Sequence, residues 1–157
     1  MEERGIAYRD FGTNSTASCD YPDYAAATCG AVTNGSSDFA ILCCGTGVGM
    51  SMCANKIKGI RACCCSEPFS AEYTRRHNNA NTLCLGGRVV GPGLACQIVD
   101  AFLDHEFEGG RHQKRIDKMM ALETLSGSPT VVPRLGPGFA LYPMNFHIVR
   151  RICHERC

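Results

Sequence analysis

Phe39-Ala-Ile-Leu-Cys-Cys44, running without a break into Gly45-Thr-Gly-Val-Gly49 and then Met50-Ser-Met-Cys-Ala-Asn-Lys-Ile57, decides how the rest of the chain reads. Its first six residues form a continuous apolar run of the kind found in strands covered on both faces. The glycines turn the chain, and 50–57 is predicted to be helical. A strand, a glycine loop and a helix in that order are the repeating unit of a parallel sheet.

The neighbouring segments repeat the unit. Gly5 to Phe11 reads as a short strand, followed by a turn-rich loop from Gly12 to Ser18. Asp20 then caps a helix over Pro22 to Thr33, with Pro22 in the first turn and Asn34-Gly35 at the end. Beyond the central segment, Gly59 to Cys65 is a second buried strand. Ser66 is the expected cap of a helix that has Pro68 in its first turn and reaches about His77. Thr82 to Leu85 is a strand leading into Gly86-Gly87-Arg88. Pro92 opens a helix with Leu94, Ile98, Val99 and Phe102 at apolar positions, and a last helix starts near Arg111. The fold class is therefore α/β, a parallel sheet flanked by helices, and candidate residues are expected at the carboxyl ends of its strands.

The bulk properties narrow the possibilities. At 157 residues with 45% apolar and 20% charged residues, the chain is long enough for one core and short for two. A formal net charge of +1 gives no basic footprint for a nucleic acid. No stretch approaches the roughly 20 apolar residues needed to span a bilayer, and Met1-Glu-Glu-Arg-Gly5 has the wrong charge order for a secretory signal. The expected setting is cytoplasmic, with no membrane partner.

The twelve cysteines are read as thiols. Cys43-Cys44 and Cys63-Cys64-Cys65 sit in apolar runs, where cysteine acts as a small hydrophobe, and adjacent cysteines alternate across a strand. Cys153-x-x-x-Cys157 with His147 and His154 groups soft ligands, but one loose cluster is a weaker zinc signal than two paired knuckles, so no metal is assigned. From Thr124 the sequence fills with breakers, Ser126-Gly-Ser-Pro-Thr-Val-Val-Pro133 among them. The domain is drawn at 1–123, with 124–157 as a linker and disordered tail.

Within the domain, three groups of residues can carry chemistry. A glycine loop between a strand and a helix offers backbone N–H groups and a helix dipole to an anion. The loop lacks the Lys-Ser/Thr of a nucleotide phosphate loop. Cys44 stands at its mouth, where a helix N-terminus can lower a thiol's pKa. On the residues alone, Cys44 can be a packed strand residue or a base. Arg111 and Arg115 share a helix face and can clamp a phosphate or form a solvated basic face. His77-Asn78 can be an acid–base pair or a helix stop.

Asp20-Tyr-Pro-Asp-Tyr24, Ile41-Leu-Cys-Cys-Gly-Thr-Gly-Val-Gly-Met-Ser51, Ala54-Asn-Lys56, Gly59-Ile-Arg-Ala62, Arg76-His-Asn-Asn-Ala-Asn81, Gly86-Gly-Arg-Val-Val-Gly-Pro-Gly-Leu-Ala95 and Phe107-Glu-Gly-Gly-Arg-His-Gln-Lys-Arg-Ile116 together resemble the type B ribose-5-phosphate isomerases. These ordered motifs run from Asp10 to about Glu123. The resemblance implies a three-layer Rossmann-like fold and an aldose–ketose isomerisation through a cis-enediolate, without cofactor or metal. Cys44 aligns with the family's base; members that use glutamate instead carry it where this chain has Met50. Thr46 and His77 align with ring-opening residues. The amides of Gly45, Gly47 and Gly49, with Asn78, resemble the enediolate cradle. Arg88, Arg111 and Arg115 match phosphate ligands, and Tyr21 matches a tyrosine lining the substrate. The resemblance also implies a homodimer, often paired into a tetramer, in which His77, Asn78 and Arg88 reach the site from a neighbouring subunit.

Members of that family begin with a strand ending in Asp-His and a long helix, ahead of the segment that resembles Met1-Glu-Glu-Arg-Gly5. The chain is expected to lack both, and to be unstable or weakly active for want of that strand. Other expected readings are an allose or galactose 6-phosphate isomerase of the same family, and a truncated remnant that binds sugar phosphates without turning them over.

Overall fold

The computed structural model describes residues 1–124. The expected tail from residue 125 onward, with His147, Cys153, His154 and Cys157, lies outside the described residues. In chain order the regular elements are α1 (Tyr21–Thr33), β1 (Ala40–Cys44), α2 (Val48–Ala54), β2 (Ala62–Cys64), α3 (Pro68–Asn78), β3 (Thr82–Gly86), α4 (Pro92–Leu103) and α5 (Arg111–Ala121), with single 3-10 turns at Glu2–Arg4 and Leu122–Thr124.

β3, the third of the described strands, is the middle of the sheet. The order is β1-β3-β2, all parallel, with Cys44 opposite Gly86 and Cys64 opposite Cys84. β3 is buried at every position, as a strand covered on both faces must be. Its side chains alternate between two cores. Cys84 joins Ala25, Cys29, Leu42, Met50 and Ala54 under α1 and α2, while Leu83 and Leu85 join Ala71, Ile98 and Phe102 under α3 and α4. Burial of a side chain such as Ile98 or Phe102 stabilises the fold by roughly 1.5–3 kcal/mol. Phe39 meets Phe102 edge to face at 5.7 Å, and the buried Arg75 lies 4.6 Å over the Phe39 ring. Arg75 also donates to the Ala80 carbonyl at 2.5 Å, which fixes the turn from α3 into β3.

The expected elements are present with four corrections. β1 and β2 are the edges of the described sheet and not strands covered on both faces, since Cys43 and Cys64 are exposed. Gly5 to Phe11 is not a strand. A strand needs a neighbour to pair its backbone groups, and this segment makes no ladder with β1, the edge strand of the described sheet. Arg4 instead ties the amino-terminal turn to α4, through Asp100 at 2.6 Å and Asp104. The cap of α3 is Glu67, not Ser66: its extended backbone lets the carboxylate accept from the Ser70 amide at 2.9 Å. Leu94 is 38% exposed, and the apolar face of α4 is carried by Ile98 and Phe102. Among the described residues no helix is long and apolar enough to cross a membrane.

Candidate active site

Cys44 ends β1, and the chain turns at once through Gly45 to Gly47 into α2. Gly47 is the N-cap of that helix, with φ at 79°. A Cβ there would lie 2.7 Å from Cys64 Sγ and 2.9 Å from the Leu85 carbonyl carbon, so only glycine fits. The Gly47 amide donates to Cys44 Sγ at 3.2 Å. Burial alone would push the Cys44 thiol up, but the backbone amides of Met50, Thr46, Gly47 and Gly49 outweigh it and pull the thiol below its ordinary 9.0. Burial drives other thiols the opposite way: Cys43, Cys63 and Cys64 are raised, and Cys65 is pushed up to about 12.

Three more expected residues join this loop. Tyr21, at the start of α1, lays its ring where a Cβ on Gly49 would be, 2.9 Å from that position. The Thr46 hydroxyl accepts from the Val48 amide at 3.4 Å. Arg88 donates its amide to the Gly45 carbonyl at 3.0 Å, and its guanidinium carbon lies 3.7 Å from where a Gly45 Cβ would stand. Arg88 thus belongs with the Cys44 loop of its own chain, and not with His77 and Asn78.

His77 and Asn78 lie elsewhere. They form the last turn of α3, which runs back from the carboxyl end of β2 and stops just before Thr82. Cys44 is opposite Gly86, at the other end of that strand. At ~3.3 Å per residue, the length of β3 alone puts roughly 13 Å between the two ends. The expectation that all candidates gather at the carboxyl ends is therefore corrected: the thiol loop is there, and the histidine is at the amino ends.

Arg111 and Arg115 stand with the histidine. Arg111 Nε donates to His112 Nε2 at 3.4 Å, and His112 stacks on His77 at 4.0 Å with 12° between the rings. Burial, then the positive field of His77, Arg111 and Arg115, holds His112 below its ordinary range. Glu108 completes the group, with Oε2 at 3.6 Å from His77 Nε2 and 3.9 Å from His112 Nε2. His112 and Glu108 were not among the expected site residues. His112 is four residues before Ile116 on the buried face of α5, a spacing visible in the sequence.

His77, Glu108 and His112 bring potential ligand atoms within 4.8 Å of one another. Two features make them poor metal ligands. His112 Nε2 already accepts from Arg111 Nε at 3.4 Å, and the Glu108 carboxylate already accepts from Arg76 Nε at 2.6 Å. With Arg111 beside it, the cluster is better suited to an anion. An open groove along α3 beside β2, lined among others by Cys63 to Cys65, Phe69, Tyr73, His77 and Asn78, leads to this end.

The family described as Ribose/Galactose Isomerase matches residues 1–119. Ribose-5-phosphate isomerase B of Escherichia coli (strain K12) is 53% identical over 123 residues, which cover 78% of this chain and 83% of the relative. The solved ribose-5-phosphate isomerase B of Clostridium thermocellum superposes with a TM-score of 0.78 at 46% identity, covering 80% of this chain and 84% of that one. That of Mycoplasma genitalium, solved with bound ribulose-5-phosphate, gives a TM-score of 0.74 at 44% identity, covering 78% of this chain and 82% of that one. With a match of this extent, the chain belongs to the ribose/galactose isomerase family.

Proposed function

We propose that this chain interconverts D-ribose 5-phosphate and D-ribulose 5-phosphate, with Cys44 as the base. The observation that carries the reading is the lowered Cys44 thiol, faced by four backbone amides. Met50, where some relatives would have a glutamate, is an apolar side chain and only 6% exposed, so it cannot substitute for the thiol.

Opening the furanose breaks the C1–O4 bond. His77 delivers a proton to O4, while Thr46 accepts a hydrogen bond from the C1 hydroxyl, whose proton passes to solvent. The Cys44 thiolate then takes the C2 proton. The electrons of that bond form C1=C2, and negative charge moves onto O1, where the amides of Gly45, Gly47 and Gly49, with Asn78, stabilise it. Return of the proton to C1, with transfer of the O2 proton to O1, yields the ketose. Arg111 and Arg115 hold the phosphate dianion with Arg88, and Tyr21 lines the sugar. No step needs a cofactor or a metal.

Because Cys44 and His77 stand at opposite ends of one sheet, a complete site takes two copies of the chain, as a homodimer or a pair within a tetramer. Phe69, 67% exposed beside the groove that leads to His77, supports such a contact. The working unit is 1–123, in the cytoplasm, where free thiols persist.

The test is turnover by the full chain of ribose 5-phosphate, allose 6-phosphate and galactose 6-phosphate. The pentose is expected to be preferred, and Cys44→Ser to lower turnover by roughly 10²–10⁴-fold while phosphate inhibitors still bind. A faster hexose phosphate, or an unaffected Cys44→Ser, would sink the reading.

A further inference from the structure

One carboxylate in the histidine cluster has no part in the steps above. Glu108 lies in the connection between α4 and α5, and it is fixed to Arg76 twice. Its backbone amide donates to the Arg76 carbonyl at 2.9 Å, and its Oε1 accepts from Arg76 Nε at 2.6 Å, with the second guanidinium nitrogen at 2.5 Å. Arg76 is held in turn by Glu72, at 2.5 Å along α3. The pairing with Arg76 keeps the Glu108 carboxyl below its ordinary 4.5, so it is an anion at neutral pH.

With Oε1 taken, Oε2 is the oxygen that faces the imidazoles of His77 and His112. His77 is packed by Tyr73 edge-on at 4.8 Å and by His112 face-on at 4.0 Å. The cationic groups around the cluster are Arg76, which pairs with Glu108, and Arg111 and Arg115, whose charges act on His112. Glu108 is the anion of the cluster, with Oε2 3.6 Å from His77 Nε2.

We propose that Glu108, anchored by Arg76, is a positioning residue for His77: it fixes the imidazole's orientation and supplies the negative charge opposite a proton-donating ring. The inference rests on the reading of His77 as the ring-opening acid. It assigns a distinct task to each oxygen of one carboxylate, Oε1 as the anchor and Oε2 as the guide. It also explains why a buried imidazole, His112, is stacked against the acid: the ring walls off one face, so that the carboxylate decides the orientation that remains.

The experiment separates ring opening from proton transfer. D-ribulose 5-phosphate has its O5 phosphorylated and cannot close a furanose, so exchange of its C1 hydrogen for deuterium in heavy water requires Cys44 but no ring-opening acid. In the full chain, Glu108→Gln is expected to lower kcat/KM for D-ribose 5-phosphate by on the order of tenfold or more, with the exchange rate on D-ribulose 5-phosphate kept within about twofold. Both sugars carry the same phosphate, so damage to the arginine cradle would appear in both readouts. Equal losses in both, or none in either, would overturn the positioning role. Should the glutamine variant fail to fold, Glu108→Asp, which withdraws the carboxylate by one methylene, carries the same comparison.

His77→Asn and Cys44→Ser keep the two readings distinguishable. His77→Asn should reproduce the Glu108→Gln pattern, and Cys44→Ser should abolish both conversion and exchange. A His77→Asn variant with full activity on ribose 5-phosphate overturns the acid assignment and this inference with it. A normal His77 response beside an indifferent Glu108→Gln overturns the inference alone.

Discussion

The backbone amide of Gly47 points at the sulfur of Cys44 across 3.2 Å, from a glycine that also begins α2. One residue thus shapes the turn, starts the helix and stabilises the thiolate. Cys64, two strands away, is more exposed than Cys44, but burial, then the nearby Cys44 and Cys63 thiols, raises it. The two thiols should therefore react in an order opposite to their exposure. On native protein, alkylation of Cys44 by iodoacetamide should have a pH midpoint below 9.0, and that of Cys64 a midpoint above it. Peptide mapping by mass spectrometry across pH reads both at once. The sign for stability is the same: the anionic Cys44 favours the folded chain above the unfolded thiol's pKa, and that contribution is lost as pH falls through the lowered value.

Gly47→Ala should destabilise the chain even though the change is a single methyl. The left-handed backbone costs roughly 1–2 kcal/mol for an L residue, and the new Cβ would press on the Leu85 backbone at 2.9 Å. Cys64 Sγ is also in the way, at 2.7 Å, but it can rotate. Adding Cys64→Ala to Gly47→Ala should therefore recover little of the lost urea midpoint. Full recovery would locate the clash in the side chain instead of the strand.

Co-expression of two defective chains tests the shared site. Cys44→Ser and His77→Asn are each expected to be inactive as homodimers. On the proposed arrangement, a mixed dimer pairs the intact Cys44 of one chain with the intact His77 of the other. Equal co-expression should then restore about a quarter of the normal activity, since about half of the dimers are mixed and each has one good site. No recovery would mean that base and acid act within a single chain.

The segment from Phe39 to Gly49 was legible because its signals are local: an apolar strand, a turn that only glycine can make, and a helix start, although β1 is a sheet edge with Cys43 exposed and not covered on both faces. Pro92 and Asn34 marked boundaries for equally local reasons, as the structure bears out. Other features were set by partners that local sequence does not reveal. Gly5 to Phe11 has strand-like residues but no ladder to join, and Arg4 takes it toward α4 instead. Ser66 was the expected cap, but the cap is Glu67, whose longer side chain reaches the Ser70 amide. His77 was identified by type but misplaced. A helix between two parallel strands must run back along the sheet, so its last turn falls at the amino end. Glu108 and His112 stood within a recognised motif, yet their task depends on Arg76 and the stacked ring, which only the folded chain brings together.

The separation of Cys44 from His77 along β3 has a consequence for how this protein is kept or lost. On the proposed two-copy site, a substitution anywhere on the surface that joins two copies is also a substitution in the active site, since neither half would work without the other. Specific activity should fall on dilution with no chain unfolding, and two alleles that each fail alone can succeed in the same cell. For such a chain, catalytic competence belongs to a population of molecules and not to a molecule.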